Sequence, residues 1–369
     1  MPHRTSRLPS ASKISAALLA GITAFTGIAD TASANPKVLV DVRTGRVIAH
    51  QEAFRKWYPA SLTKLMTSYV TFRALKSGRI NLETPVVMSR KAADQPASKM
   101  YLKPGAWMTL DSAMKILLVK SANDIAVAVA ETVGGTTENF VEMMNAEAAR
   151  LGMNSSRFIN PHGLPGKGQF TTARDLAVLT MQLKREFPEY ASYFSLEGVS
   201  TGSKEYPNYN MLIGRFDGAD GMKTGFICAS GFNQVSSATR NGRTVISVVL
   251  GSDSLAGRAD ESADLLQKGL TAPQGNGDLL SALAPYGPDR DQVVDISNDI
   301  CNPKAAKVRS EGRDDAGRMI VHSPYISQMV NPPRYSLATI NQPPQLSPEQ
   351  RAEGHLANVP LPIPRPATF

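Results

Sequence analysis

A serine hydroxyl and a lysine amine stand one helical turn apart in Ser61-Leu62-Thr63-Lys64, followed along the chain by Ser121-Ala122-Asn123 and Lys223-Thr224-Gly225. This ordered set can activate a serine nucleophile without a histidine. A serine hydroxyl attacks a carbonyl well only when a neighbouring base takes its proton. Three residues on in a helix, Lys64 projects along the same face as Ser61. It works as a base near neutral pH only if its surroundings remove about 4 kcal/mol of preference for the charged form. Burial against a core helix and a second cation both push that way, and Lys223 is the candidate cation. Ser121 can relay a proton from the lysine region to a leaving group, and Asn123 can hold a substrate amide.

Each motif alone is weak. Ser-x-x-Lys recurs at Ser10/Lys13 and Ser112/Lys115, and Ser-x-Asn at Ser33/Asn35, whereas Lys-Thr-Gly occurs once. The weight comes from the order and from the elements that carry each motif. Leu62, Leu65, Met66, Tyr69 and Phe72 recur at spacings of three and four, so Ser61 opens a helix with one buried face. Thr109 opens a second apolar helix that ends at Ser121, and a third runs from Ile125 to Val133 and stops at Gly134-Gly135. Thr172-Ala173-Arg174-Asp175 reads as a capping box, with Asp in place of Glu, for a helix through Leu183.

Strands occupy the two ends of this segment. Lys37 to Gln51 reads as a hairpin around Arg43-Thr44-Gly45-Arg46. Gly221 to Phe226 is a strand, and Asn241-Gly242 joins strands 232–238 and 244–250 in a two-residue hairpin. A last helix is expected at about 258–270. Strands at both ends with helices between them predict an α+β fold, an antiparallel sheet flanked by helices with a helical subdomain inserted.

Residues 1–34 read as a secretory signal: a basic start (Arg4, Arg7, Lys13), an apolar stretch from Ile14 to Ala29, and the small-residue cleavage site Ala32-Ser33-Ala34. The product is then expected outside the inner membrane, in the periplasm or cell wall, with membrane association at most peripheral. Removing residues 1–34 takes away Arg4, Arg7, Lys13 and Asp30, so the formal charge falls from +8 to +6, a modest excess that favours polyanionic surroundings. No dense basic run interleaved with aromatics argues for nucleic acid. Cys228 and Cys301 permit a disulfide in an exported chain, or remain two thiols. If bonded, they tie the C-terminal region to one wall of the active site. The expected division is 35–270 as the catalytic domain, 271–330 as an extension of unclear fold, and a Pro-rich tail over 331–369, extended or disordered.

The segments Tyr58 to Thr67, Ser121-Ala122-Asn123-Asp124, Asn160-Pro161-His162-Gly163-Leu164 and Thr172 to Leu176 together resemble the serine-type D-alanyl-D-alanine carboxypeptidases, the low-molecular-mass penicillin-binding proteins. Their ordered motif set is an established signature of that group and of β-lactamases. The likeness covers about residues 37–270. It implies release of the terminal D-Ala from peptidoglycan stem peptides through a Ser61 acyl-enzyme, acylation by β-lactam antibiotics, and no cofactor or metal. It also implies an oxyanion hole from the main-chain N–H groups of Ser61 and Phe226, and a terminal carboxylate held by Arg258 beside Thr224. The peptide would lie as an added strand along Lys223, Thr224, Gly225 and Phe226. His162 is expected to hold its loop. Family members often carry a C-terminal β-rich domain and an amphipathic membrane helix, and neither is visible after residue 275.

Three other readings fare less well. A class A β-lactamase needs a Glu-x-x-Leu-Asn element, absent between Asn123 and Lys223, so a penicillin acyl-enzyme should persist. Five histidines without a His-Glu-x-x-His helix argue against a zinc peptidase. A non-catalytic penicillin-binding scaffold would not need the intact motif set. A D,D-endopeptidase of peptidoglycan cross-links shares the same machinery, and sequence does not separate it from the carboxypeptidase.

Overall fold

The computed structural model describes residues 35–273, 277–304, 312–315 and 317–343. In chain order, a hairpin of β1 (Lys37–Asp41) and β2 (Val47–Gln51) leads into α1 (Thr63–Lys76). A helical region follows, made of β3 (Pro85–Val87), α2 (Arg90–Ala93), β4 (Trp107–Thr109), α3 (Leu110–Val119), α4 (Asn123–Gly134), α5 (Thr137–Arg150) and α6 (Ala173–Glu186). The short strands β5 (Gly198–Ser200) and β6 (Glu205–Pro207) precede β7 (Ala219–Ile227), β8 (Gly231–Arg240) and β9 (Arg243–Ser252). Then come α7 (Leu255–Thr271), α8 (Ser297–Cys301) and β10 (Tyr335–Leu337).

The main sheet is antiparallel in the order β2-β1-β9-β8-β7. Pairing of β1 with β9 therefore joins the two ends of the segment and brackets the helical insert, which is the α+β plan expected from the order of elements. Period-two alternation splits the strands between two apolar clusters. Val38, Val40, Ile246 and Val248 join the cluster that also holds the apolar residues of α1, α3, α4 and α6, while Leu39, Ala238 and Val245 join a second with Ala259, Ala263 and Leu266 of α7. Helix α7 packs so closely that a Cβ on Gly269 would lie 2.9 Å from Leu39 Cδ1 and 3.2 Å from Val245 Cβ.

Local signals place the helix starts. The side chains of Thr109, Thr172 and Ser254 each accept a backbone N–H three residues on, at the N-termini of α3, α6 and α7. Helix α7 begins three residues before the expected Arg258 because Ser254 caps it. Helix α5, unassigned from sequence, is capped by Thr136 and buries Phe140, Met144 and Ala148 at four-residue spacing.

The C-terminal region, for which the sequence suggested no fold, is ordered against the rest of the chain over its described residues. It crosses back over the catalytic unit in extended form. Val47 N–H donates to Asp278, and Leu280 N–H to Gly45. Residues 290–296 lie along Lys56-Trp57 and reach Ala229, and a disulfide then joins Cys301 to Cys228. Farther on, Asp260 accepts from the N–H groups of His322 and Ser323, and β10 pairs parallel with β5. Over 331–343 the Pro-rich tail is extended, one of the two forms expected for it, and it is paired rather than free. Prolines cannot donate to a sheet, but Pro332 and Pro333 stand before β10, and the proline-free stretch 335–341 pairs at a sheet edge. The remainder of that tail and the signal segment 1–34 lie outside the described residues. Among the described residues no helix is long and apolar enough to cross a membrane.

The disulfide closes a separation of 73 residues, so its loss frees a long loop in the unfolded chain. Replacing Cys301 by Ser should lower the free energy of unfolding by about 2–4 kcal/mol. Chemical denaturation at constant m-value checks this. An unchanged midpoint would show that the backbone hydrogen bonds alone hold the segment.

Candidate active site

Ser61 sits in a single 3-10 turn (Ala60–Leu62) that feeds directly into α1. The approach to that turn is rigid. Buried Trp57 exchanges two backbone hydrogen bonds with Thr171, and its indole N–H donates to Ser230 O at 2.9 Å. Ala60 then adopts φ +47°, a left-handed conformation that costs a non-glycine residue roughly 1 kcal/mol or more.

Two glycines hold the strained turn. Gly163, at φ +93°, lies so close that a Cβ there would fall 1.7 Å from Ala60 O. On the other side a Cβ on Gly225 would come within 3.0 Å of Ser61 N. The Gly163 loop is itself fixed: Asn160 Oδ1 accepts from Gly163 N–H at 2.7 Å, and Asn160 Nδ2 donates to Leu164 O at 2.9 Å. His162 Nδ1 accepts from Leu164 N–H at 3.1 Å, which makes the ring a loop fastener.

Lys64 is fully buried. Its Nζ lies 3.0 Å from Ser61 Oγ, 2.8 Å from Asn123 Oδ1 and 2.9 Å from His162 O. Burial first, and then repulsion from Lys223, hold its amine well below the usual lysine range; the Asp124 carboxylate opposes this in part. Lys223 is equally buried, and burial together with the charge of Arg258 brings it down to about 7. The cations therefore act in sequence: Arg258 depresses Lys223, which in turn depresses Lys64.

Ser121 stands at φ +61° between α3 and α4, and its buried hydroxyl has no hydrogen-bond partner among the described residues. Asn123, read from sequence as a substrate amide holder, has most of its carboxamide engaged already. Its Oδ1 accepts from Lys64 and its Nδ2 donates to Pro96 O at 3.0 Å, leaving one N–H over. Thr224 is buried, and its carbonyl accepts from Lys223 Nζ at 2.9 Å. Phe226 is 42% exposed and rests on Phe232. Strand β7 is the last of its sheet, so its outer edge runs past Ser61 and offers main-chain groups to an extended peptide. Arg258 is buried in α7, and its Nη2 donates to Tyr209 O at 3.3 Å.

Sequence reasoning missed the loop at 96–101. Ser98 O accepts from Asn123 N–H at 2.7 Å, and Asp124, its acid pushed up by burial, accepts from Met100 N–H. No motif marks these residues, because their partners lie more than twenty positions away. Among the described residues no group of three His, Cys, Asp or Glu side chains is arranged to hold a metal.

Comparison with known proteins identifies a family. The sequence model of the D-alanyl-D-alanine carboxypeptidase family matches residues 23–254. D-alanyl-D-alanine carboxypeptidase DacC of Escherichia coli K12 is 38% identical over 248 residues, 65% of this chain and 62% of that protein. DacA of Haemophilus influenzae is 36% identical over 242 residues, 64% of this chain and 62% of its own. The chain thus spans less than two thirds of the length of these relatives. Among solved structures, penicillin-binding protein 6B from E. coli superposes with a TM-score of 0.61 at 37% identity, covering 65% of this chain and 78% of its own.

His162 supplies a pH test of the loop. Burial and the charge of Lys64 bring its imidazole from 6.5 down to about 3. Its folded pKa is depressed, so it costs no stability above pH 6.5, and as pH falls from 6.5 towards 3 the unfolded state binds a proton that the folded state does not. Stability should therefore drop more steeply over that window in wild type than in His162→Asn. Denaturation midpoints from pH 7 to 3 check this; parallel pH profiles for the two proteins would rule it out.

Proposed function

Because this chain belongs to the D-alanyl-D-alanine carboxypeptidase family, we propose that it removes the terminal D-Ala from peptidoglycan stem pentapeptides through a covalent Ser61 ester. The observation that carries this reading is the Lys64 amine. A neutral amine has two hydrogens and one lone pair. Asn123 Oδ1 and His162 O can accept the two hydrogens, which aims the lone pair at the hydroxyl of Ser61.

The reaction then runs as follows. The substrate strand lies along the outer edge of β7, its terminal carboxylate towards Arg258 and Thr224. Ser61 Oγ attacks the carbonyl carbon of the penultimate D-Ala as its proton passes to Lys64 Nζ. The main-chain N–H groups of Ser61 and Phe226 receive the oxyanion. Collapse breaks the amide bond, and the departing amine takes a proton through the Ser121 hydroxyl, which has no partner among the described residues and so can turn towards either side. Free D-Ala departs. Water then attacks the ester and gives its proton to Lys64, and Ser61 is restored. A β-lactam ring opens onto Ser61 by the first half of the same path. With no Glu-x-x-Leu-Asn element to direct a water, that acyl-enzyme persists. The enzyme works in the periplasm once residues 1–34 are removed.

Two measurements test the mechanism. Wild type should release D-Ala from a pentapeptide and bind fluorescent penicillin covalently. Ser61→Ala should fail to label and should lose at least about 10⁴-fold in turnover. An unlabelled wild type would end the proposal. The second concerns pH. Acylation needs neutral Lys64, so its rate falls as pH drops through the depressed lysine pKa. Lys223 gains its proton below about 7, where its repulsion of Lys64 is greatest. Lys223→Met removes that repulsion and should move the acid limb of penicillin acylation to higher pH. A limb that stays in place would show that Lys223 does not tune the base.

A further inference from the structure

Lys120 lies immediately before Ser121, and no step of the reaction above uses it. As the C-cap of α3 it belongs to the helical wall of the cleft. Its Nζ donates to Tyr209 Oη at 2.9 Å and to Ser98 Oγ at 3.1 Å. It also stands 5.5 Å from the Tyr209 ring centre and 5.7 Å from that of Tyr206. Among the described residues no carboxylate pairs with it; its partners are hydroxyls and ring faces, which suit a cation.

Tyr209 belongs to the opposite wall. Its turn is pinned to the base of β7, since Asn208 Oδ1 accepts from Asn210 N–H at 2.8 Å and Asn210 Nδ2 donates to Gly221 O at 2.9 Å. The carbonyl of Tyr209 accepts from Arg258. On the helical side, the Ser98 hydroxyl donates to Lys120 O, and its carbonyl accepts from Asn123. A continuous path of hydrogen bonds thus runs from Asn123 and Ser98 through Lys120 and Tyr209 to Arg258. It crosses from one wall to the other. Within it Lys120 is the residue next to Ser121, and Tyr209 is a single hydrogen bond from the guanidinium assigned to the terminal carboxylate.

We infer that the Lys120–Tyr209 bridge closes the leaving-group end of the cleft and confines cleavage to a single terminal D-amino acid. This rests on the carboxypeptidase reading, which places the terminal carboxylate at Arg258. A departing D-Ala ends at that carboxylate and fits inside the bridge. In a peptidoglycan cross-link the departing amine belongs to the side chain of a second stem peptide, and that chain must continue outward past Arg258. There it meets the Tyr209 ring, held by an ammonium and by a pinned turn. Bridge strength therefore discriminates between two substrates that share one scissile bond type and one set of catalytic groups.

The test compares full-length mature wild type, Tyr209→Phe, Tyr209→Ala and Lys120→Met on two substrates, a stem pentapeptide and a D,D-cross-linked peptide dimer. Fluorescent penicillin labelling reports an intact Ser61–Lys64 centre in each protein. Wild type should cleave the pentapeptide and strongly disfavour the dimer. Tyr209→Ala should raise the dimer-to-pentapeptide ratio of kcat/KM by about 10-fold or more, within the range a single pocket contact controls. Lys120→Met and Tyr209→Phe, which keep the ring but free it, should raise the ratio less. Equal cleavage of both substrates by wild type overturns the inference, as does an unchanged ratio in labelled Tyr209→Ala and Lys120→Met. A wild type that labels with penicillin yet prefers the dimer overturns it while leaving the serine mechanism standing. A wild type that neither labels nor releases D-Ala removes the carboxypeptidase reading, and the inference with it.

Discussion

A primary amine buried at the start of a helix, with oxygen acceptors fixed around it, is the arrangement on which the rest of this structure depends. Burying an ammonium without a paired anion is costly, and a buried group relieves that cost by giving up its proton. Lys64 has neutral oxygens as its immediate partners, from a hydroxyl, a carboxamide and a backbone carbonyl, and these suit an amine as well as an ammonium. The three come from separate parts of the chain: the α1 turn, the first residue of α4 and the 160–164 loop. A shift in any of them would leave the lone pair aimed elsewhere. The hairpin and α7 then complete the sheet that keeps Lys223 and Arg258 close enough to act on the amine in turn.

Holding those acceptors requires backbone that a free chain would avoid. Ala60 and Ser121 both take left-handed dihedrals, one beside Ser61 and the other at the proposed proton relay. Strain of this kind persists only where surrounding structure overdetermines it. Around Ala60 that structure includes Trp57 and its bonds to Thr171 and Ser230, Gly163 beneath, Gly225 alongside, and the strap at 290–296. The strap runs beside Lys56-Trp57 and is bonded through Cys301 to the turn after β7. It therefore couples the backbone leading to Ser61 with the turn that follows Phe226, the two segments whose N–H groups are the proposed oxyanion donors. The C-terminal region acts as a brace on the catalytic unit.

Features set by near neighbours were legible in the sequence. Ser61 and Lys64 are one turn apart, Thr172 caps a helix three residues on, and Asn241-Gly242 requires nothing beyond its flanking strands. The α+β plan followed from the order of elements alone. What escaped was set by distant partners. Asn123, expected to hold a substrate amide, also accepts from Lys64, 59 residues earlier, a contact that its sequence neighbours do not announce. Lys120 carries no local sign of its contact with Tyr209, 89 residues later. The region after 271 has no period to read, because extended chain is ordered by the surface that receives it. Helix α5 is different: its buried Phe140, Met144 and Ala148 are evenly spaced and were readable.

The brace and the buried lysines are connected through stability. Lys223 titrates at about 7 in the folded protein, against an ordinary 10.5. The unfolded chain therefore binds a proton between these values that the native state does not, so stability rises with pH across that window. Below pH 7 both states are protonated, and the folded protein carries the whole penalty of that burial, on the order of 5 kcal/mol. Lys64 adds a penalty of the same sign. Such terms are a sizeable fraction of the roughly 5–15 kcal/mol by which a domain is ordinarily stable. A disulfide across 73 residues offsets them by limiting the unfolded chain, and it asks nothing of the dielectric around the amine. Compensation by carboxylates beside Lys64 would have restored its proton and removed the base. The C-terminal strap therefore stabilises the fold by a route that leaves the lysine's electrostatics untouched.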